Sequence, residues 1–140
     1  MIRDYHSDDC DEVLRIWLAA SIEAHNFIDA AYWEARVEDM RTVYLPAAES
    51  RVLVRDGRIQ GFYSLCENVL AALFVDPVFQ GQGVGSALLD DALQHRAPLS
   101  LAVYKSNTKS ARFYRSRGFL VVQEQGDPQT GQDEYLMRSS

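Results

Sequence analysis

The sequence predicts a mixed α/β fold, a mostly antiparallel sheet of about seven strands flanked by about four helices. Three observations carry that prediction. An apolar run from Leu70 to Val75 leads into the turn Gln80-Gly81-Gln82-Gly83-Val84-Gly85, which opens a segment with apolar residues at the helical positions Val84, Leu88 and Ala92. Two β-rich runs, residues 51–55 and 59–65, flank Asp56-Gly57, a dipeptide suited to a tight hairpin. A second pair, residues 120–125 and 134–138, closes the sheet across a loop running from Gly126 to Gly131.

The remaining elements follow in order. Met1 to Tyr5 reads as a short first strand. Asp8 or Asp9 caps a helix running to about Ala24, with Asp11 and Glu12 in the first turn, where the helix dipole favours acids. Asp29 caps a second helix to about Tyr44. Trp33, Val37, Met40 and Tyr44 share one of its faces, and Pro46 ends it. The Asp56-Gly57 hairpin supplies strands two and three. Leu70 to Val75 is the fourth strand, stopped by Asp76-Pro77. A long helix from Ser86 to His95 follows, then a fifth strand from Leu99 to Val103. A last helix, about Thr108 to Ser116, stops before Gly118, a C-terminal cap signal.

Length and composition agree with a single compact domain spanning residues 1–140. Apolar residues make up 47% and charged residues 24%, as in ordinary soluble proteins. No run approaches the roughly 20 apolar residues that would cross a bilayer. The start, Met1-Ile2-Arg3-Asp4, lacks the basic and apolar regions of a signal peptide. Cys10 and Cys66 have no metal-ligand spacing and read as reduced thiols. The expectation is a cytoplasmic protein with no bound metal and no membrane partner.

The glycine turn carries the chemistry. Strand, glycine turn, helix is an arrangement that aims the unpaired N–H groups of a first helical turn at an anion. Glycines at 81, 83 and 85 allow positive φ and close approach of a bulky phosphate. Two familiar phosphate loops do not fit. The Walker pattern needs Lys-Ser or Lys-Thr after its last glycine, where this chain has Val84-Gly85-Ser86. The dinucleotide fingerprint is spaced G-x-G-x-x-G and opens a first βαβ unit, whereas these glycines alternate and lie past the midpoint of the chain.

Gln80-x-x-Gly83-x-Gly85 instead resembles the acyl-CoA pyrophosphate loop of the GCN5-related N-acetyltransferases, the GNAT family. Leu73-Phe74-Val75-Asp76-Pro77 is similar to the family's fourth strand and its exit. Leu99 to Val103 is similar to the fifth strand. Asn107, Ala111, Phe113-Tyr114 and Gly118-Phe119 follow in the family's order, with one extra residue between Asn107 and Ala111. The resemblance is close over residues 50–125. The segment His25-Asn26-Phe27-Ile28 also resembles a His-x-Phe-Ile segment of small single-domain bacterial members, several of them taken to acetylate protein lysines.

The resemblance implies a V-shaped splay between the fourth and fifth strands that takes acetyl-CoA as co-substrate. Leu73, Phe74 and Val75 would pair with pantetheine, and a backbone N–H near Phe74 would hold the oxyanion. Gln80, Gly81, Gln82, Gly83, Val84, Gly85 and Ser86 would cradle the pyrophosphate. Tyr114 matches the general acid that protonates the departing thiolate; a phenol of pKa about 10 is still protonated at neutral pH. Asn107 serves either pantetheine or the N-cap of its own helix. The general base is open. Many relatives carry a fourth-strand glutamate, and residues 69–75 carry no acid. Glu67 is the nearest carboxylate, with a water relay or an already neutral amine as alternatives. His25 is a candidate on the acceptor side, as proton acceptor or acceptor-binding group, or else a cap.

Charge bears on the acceptor. Residues 1–50 hold eleven acids against four bases, and residues 51–140 hold nine against ten, so the acidic excess lies in the first two helices. An acidic rim suits a cationic amine: a protein lysine, an N-terminus or a small amine. It argues against nucleic acid, since no basic stripe runs along the surface helices. Lys105, Lys109, Arg112, Arg115 and Arg117 cluster about the last helix and face either the CoA 3′-phosphate or solvent. The expected activity is direct acetyl transfer from acetyl-CoA to a primary amine, in a monomer or homodimer. The alternative is a catalytically silent acyl-CoA-binding sensor or interaction module of the same fold.

Overall fold

The computed structural model describes residues 1–140. Seven strands form one sheet in the order β1-β2-β3-β4-β5-β7-β6. They are β1 (Ile2–Asp4), β2 (Glu49–Arg55), β3 (Arg58–Cys66), β4 (Val69–Val75), β5 (Ser100–Tyr104), β6 (Leu120–Gly126) and β7 (Asp133–Arg138). All neighbours are antiparallel except β4 and β5, which run parallel and share one paired position, Val69 opposite Ser100. Beyond that pair the strands part, and the gap is the expected V. The helices are α1 (Cys10–Ala24), α2 (Ala30–Glu34), α3 (Val84–His95) and α4 (Thr108–Ser116). None is long and apolar enough to cross a membrane.

Strand periodicity divides the core. In β2 and β3, Val52 and Phe62 point to one face, and their neighbours Leu53 and Tyr63 to the other. The first face packs under α1 and α2 through Ile16, Trp17 and Trp33. The second packs under α3 and α4 through Leu88, Leu89, Ala111 and Phe119. The two turns with explicit chemistry form as their residues require. Asp56 and Gly57 both take positive φ, 54° and 71°, in the β2–β3 hairpin. After α4, Gly118 (φ 91°) donates to the Arg115 carbonyl and Phe119 to that of Tyr114, the paired bonds of a Schellman cap.

The N-terminal helices depart from expectation. Neither Asp8 nor Asp9 caps α1 through its side chain; Asp9 instead pairs with Arg3 at 2.8 Å and accepts from the His6 N–H at 2.9 Å. Asp29 does cap α2, accepting from the Ala31 N–H at 3.0 Å. The helix from Asp29 to Tyr44 is not continuous, however. It breaks after Glu34 and resumes as short turns at Val37–Asp39, Met40–Tyr44 and Leu45–Ala47. The middle turn is π-helical, with the Leu45 N–H bonded to the Met40 carbonyl. One extra residue in that turn rotates the apolar stripe by one position. Leu45 is therefore buried at 3% exposure, and Tyr44, the expected face residue, is 54% exposed. Pro46 sits inside the last turn, and the chain leaves it at Ala48.

α3 lies close on the sheet because β3 has a glycine beneath it. A Cβ at Gly61 would stand 2.8 Å from the Phe74 carbonyl oxygen and 2.9 Å from Leu88 Cδ1. Gly61→Ala is expected to destabilise the protein by about 1–3 kcal/mol, the usual range for overpacking. An unchanged midpoint in chemical denaturation would show that α3 shifts freely over the sheet.

Candidate functional site

The β4–β5 gap opens into a cleft of about 540 Å³. One wall is the last three residues of β4. Their outer edge is unpaired, since β5 has already diverged. The Asp76 N–H bonds to the Gln60 carbonyl at 2.9 Å, and Phe74 is paired opposite Phe62. Backbone groups alternate sides along an antiparallel ladder, so Phe74 directs its N–H toward β3. The N–H groups facing the cleft are those of Leu73 and Val75. The donor expected near Phe74 thus belongs to its neighbours.

The glycine turn closes one end. Asp76, 1% exposed, fixes its start: the carboxylate accepts from Arg15 of α1 at 2.6 Å and from the Val78 N–H at 3.2 Å. Burial alone would raise this carboxyl, but the Arg15 guanidinium and the Val78 N–H outweigh it and hold it below the usual carboxylate range. Gly81 and Gly83 take φ of 79° and 81°, and Gly83 is the N-cap of α3. The first intrahelical bond runs from Ala87 to the Gly83 carbonyl. The N–H groups of Val84, Gly85 and Ser86 therefore have no helical partner and stand at the cleft, a cradle for a diphosphate. A Cβ at Gly85 would meet only ordinary contacts, 3.6 Å to Val75 and 3.8 Å to Phe113. Its absence leaves room in the cleft and relieves no clash.

The opposite wall is α4. Asn107 caps it, accepting from the Ser110 N–H at 3.3 Å. Tyr114 reaches the cleft from the second turn at 9% exposure, its ring edge-on to Phe113 and Phe119. Its hydroxyl has no partner within the protein, and burial pushes the phenol well above its ordinary pKa, so it holds its proton across the physiological range.

Most of the residues expected to hold acetyl-CoA line this one cleft: Leu73, Phe74, Val75, Gln80, Gly81, Gly83, Val84, Gly85, Ser86, Asn107 and Tyr114. Gln82 does not; it is exposed on the outside of the turn, where its carbonyl accepts from Arg55. Glu67 does not either. It occupies the β3–β4 turn with φ 53°, at the other end of β4 from Phe74, about 23 Å away at strand rise. Of the basic cluster, only Lys109 lines the cleft. Lys105 pairs with Glu124, Arg115 covers the Tyr135 ring, and Arg117 bonds Ser86 and Asp90.

Sequence reasoning missed the α1 wall. Ala20, Glu23 and Ala24 present one helical face to the cleft, followed by Asn26. Glu23 is the one carboxylate in the lining. The spacing is readable, but an exposed glutamate between Ile22 and Ala24 looks like any solvated helix position. His25 lies behind this wall, 7% exposed and outside the lining. Burial lowers its pKa to about 4, and no charged neighbour compensates. It is neutral at physiological pH.

The family described as acetyltransferase (GNAT) domain matches residues 6–130. The peptidyl-lysine N-acetyltransferase YiaC of Escherichia coli K12 is 36% identical over 123 residues, covering 87% of this chain and 84% of YiaC. The solution structure of apo-form YjaB from Escherichia coli superposes with a TM-score of 0.86 at 28% identity, covering 99% of this chain and 95% of YjaB. The PaiA N-acetyltransferase from Thermoplasma acidophilum, solved in complex with coenzyme A, superposes with a TM-score of 0.82 at 16% identity, covering 100% and 98%.

Burial of a neutral His25 makes stability depend on pH. The unfolded chain takes up this proton near pH 6.5, and the folded chain only near 4. Stability is complete above the higher value, falls as pH drops through the window and then levels, a loss of at most about 3 kcal/mol. Thermal melts of wild type between pH 7 and 4 are expected to show this slope, and His25→Phe to flatten it.

Proposed function

The chain belongs to the GNAT family of acetyltransferases, and from that premise we propose that it transfers the acetyl group of acetyl-CoA to lysine side chains of proteins. One observation carries the reading. A single cleft joins a helix N-terminus suited to phosphates, an unpaired strand edge suited to pantetheine, a partnerless buried phenol and a lone carboxylate. The coenzyme A complex of a protein with the same fold and the lysine-directed name of a relative at 36% identity support it.

The residues divide the work by charge. Acetyl-CoA is strongly anionic, and the free N–H groups of α3 together with Lys109 attract its phosphates. Glu23 repels phosphate and attracts an ammonium, so the acceptor approaches along α1. There the lysine gives up a proton to solvent through Glu23, and its nitrogen attacks the thioester carbonyl carbon. One of the two cleft-facing N–H groups, that of Leu73 or of Val75, holds the negative charge developing on the carbonyl oxygen with no reorganisation of side chains, and the other is left for pantetheine. As the C–S bond breaks, the attacking nitrogen loses its second proton to solvent, and Tyr114 donates its own proton to the sulfur and recovers one from solvent. The net reaction converts an ammonium and a thioester into an amide, a free thiol and one released proton.

The primary test is acetylation of a lysine peptide, read as free thiol released and acetyl-lysine formed. Tyr114→Phe is expected to lower kcat roughly 10²-fold, the low end for general acid catalysis, with the KM for acetyl-CoA little changed. Full activity in that variant overturns the role of Tyr114, and acetyl-CoA binding without turnover in wild type overturns the enzymatic reading. Glu23→Gln is expected to raise the peptide KM about 2- to 5-fold, the scale of one exposed charge pair, and to leave that of acetyl-CoA alone.

A further inference from the structure

Strand pairing joins the two halves of the sheet only at the closed end of the V, between Val69 and Ser100. At the open end the halves are joined by side chains, and His25 is at their centre. It caps the C-terminus of α1, its N–H bonded to the Ser21 carbonyl at 3.0 Å. Its ring stacks on Trp33 at 5.0 Å and meets the edges of Phe27 at 5.7 Å and Tyr104 of β5 at 5.2 Å. Its Nε2 lies 3.3 Å from Nδ2 of Asn107, the residue that caps α4. One imidazole thus touches the helix over β4, the strand beyond the gap and the helix that carries Tyr114.

The direction of the His25–Asn107 bond follows from the cap. Asn107 Oδ1 accepts from the Ser110 N–H, which turns the amide Nδ2 toward the histidine. An amide nitrogen only donates, so Nε2 accepts and the ring proton resides on Nδ1. Nδ1 is buried with no partner in the protein. The single lone pair of the neutral ring is therefore occupied, and a proton on Nε2 would set donor against donor. This arrangement is unsuited to a group that takes a proton from the acceptor, the role the sequence left open for His25.

We propose that His25 is a positioning residue, a neutral clasp between α1 and α4 that sets the width of the cleft where the thioester and Tyr114 must meet. The catalytic consequence rests on the acetyltransferase reading; the clasp itself does not. No charged side chain takes part in it, and its titratable neighbour is the Tyr104 phenol, bonded on its far side to Asp127 at 2.6 Å.

Two-bond ¹H–¹⁵N spectra of the histidine rings in the ligand-free protein at pH 7 test the bond directly. The clasp requires His25 protonated at Nδ1 and bare at Nε2, the less common tautomer of a free imidazole. A ring protonated at Nε2 overturns it. Kinetics test the consequence. His25→Phe keeps the ring and loses the acceptor, and is expected to lower kcat about tenfold. In His25→Gln the side-chain carbonyl can stand near the place of Nε2, and most of the activity is expected to return. Equal loss in both variants, with disappearance of an acidic limb from the wild-type pH profile, would make His25 a base and overturn the proposal. If wild type transfers no acetyl group, the ring spectrum still decides the clasp while the acetyltransferase reading fails separately.

Discussion

A single paired position, Val69 opposite Ser100, joins β4 to β5, and the rest of the molecule is arranged around what that pairing does not do. Parallel strands that continued together would bury the outer edge of β4 and leave no cleft. Because they part, the N–H groups of Leu73 and Val75 stay free, and α1, α3 and α4 line the opening. Unpaired backbone polar groups are costly when they have neither water nor a partner. A site built on such an edge is prepared to bond an extended ligand as though it were another strand.

Separating the strands transfers the burden of cohesion to side chains. On one face α3 sits tightly on β3 over Gly61. On the other, Trp17, Trp33, His25, Phe27 and Tyr104 form a run of aromatic contacts from α1 to β5. Tyr32 extends it, donating to Gln129 in the β6–β7 loop at 2.9 Å. These contacts give the open end a defined width without closing it. The arrangement of charge follows the same geometry. Lys109 and the start of α3 suit an anionic ligand, and Glu23 on the facing helix suits a cationic one.

The legibility of the sequence varied with how local each signal is. The glycine turn, the Asp56-Gly57 hairpin, the α4 cap at Asn107 and the Schellman ending at Gly118 are each written within a few residues, and each forms as read. The cleft residues on β4, the turn and α4 were legible for the same reason. What failed depended on tertiary packing. The π turn at Met40–Tyr44 exists so that Leu45 reaches the core, a demand no helical periodicity reveals. Glu67 is the nearest carboxylate along the chain, but β4 runs from it to the cleft and puts the length of the strand between them. Glu23 and the burial of His25 arise where α1 meets β4 and α4, contacts between segments some 50 and 80 residues apart. Gln82 lies inside the motif, yet the turn points it outward.

The Arg15–Asp76 pair has a kinetic meaning beyond its place in the fold. Asp76 ties the first residues of the glycine turn to α1, with Pro77 fixing the backbone next to it, so the turn holds its shape in the ligand-free protein. A loop that had to be ordered by each arriving ligand would subtract that entropy from every binding event. Here the ordering is part of folding, done once per molecule and not once per turnover. A turn ordered in this way presents no such cost to an arriving anion, whose capture falls to diffusion and electrostatic guidance.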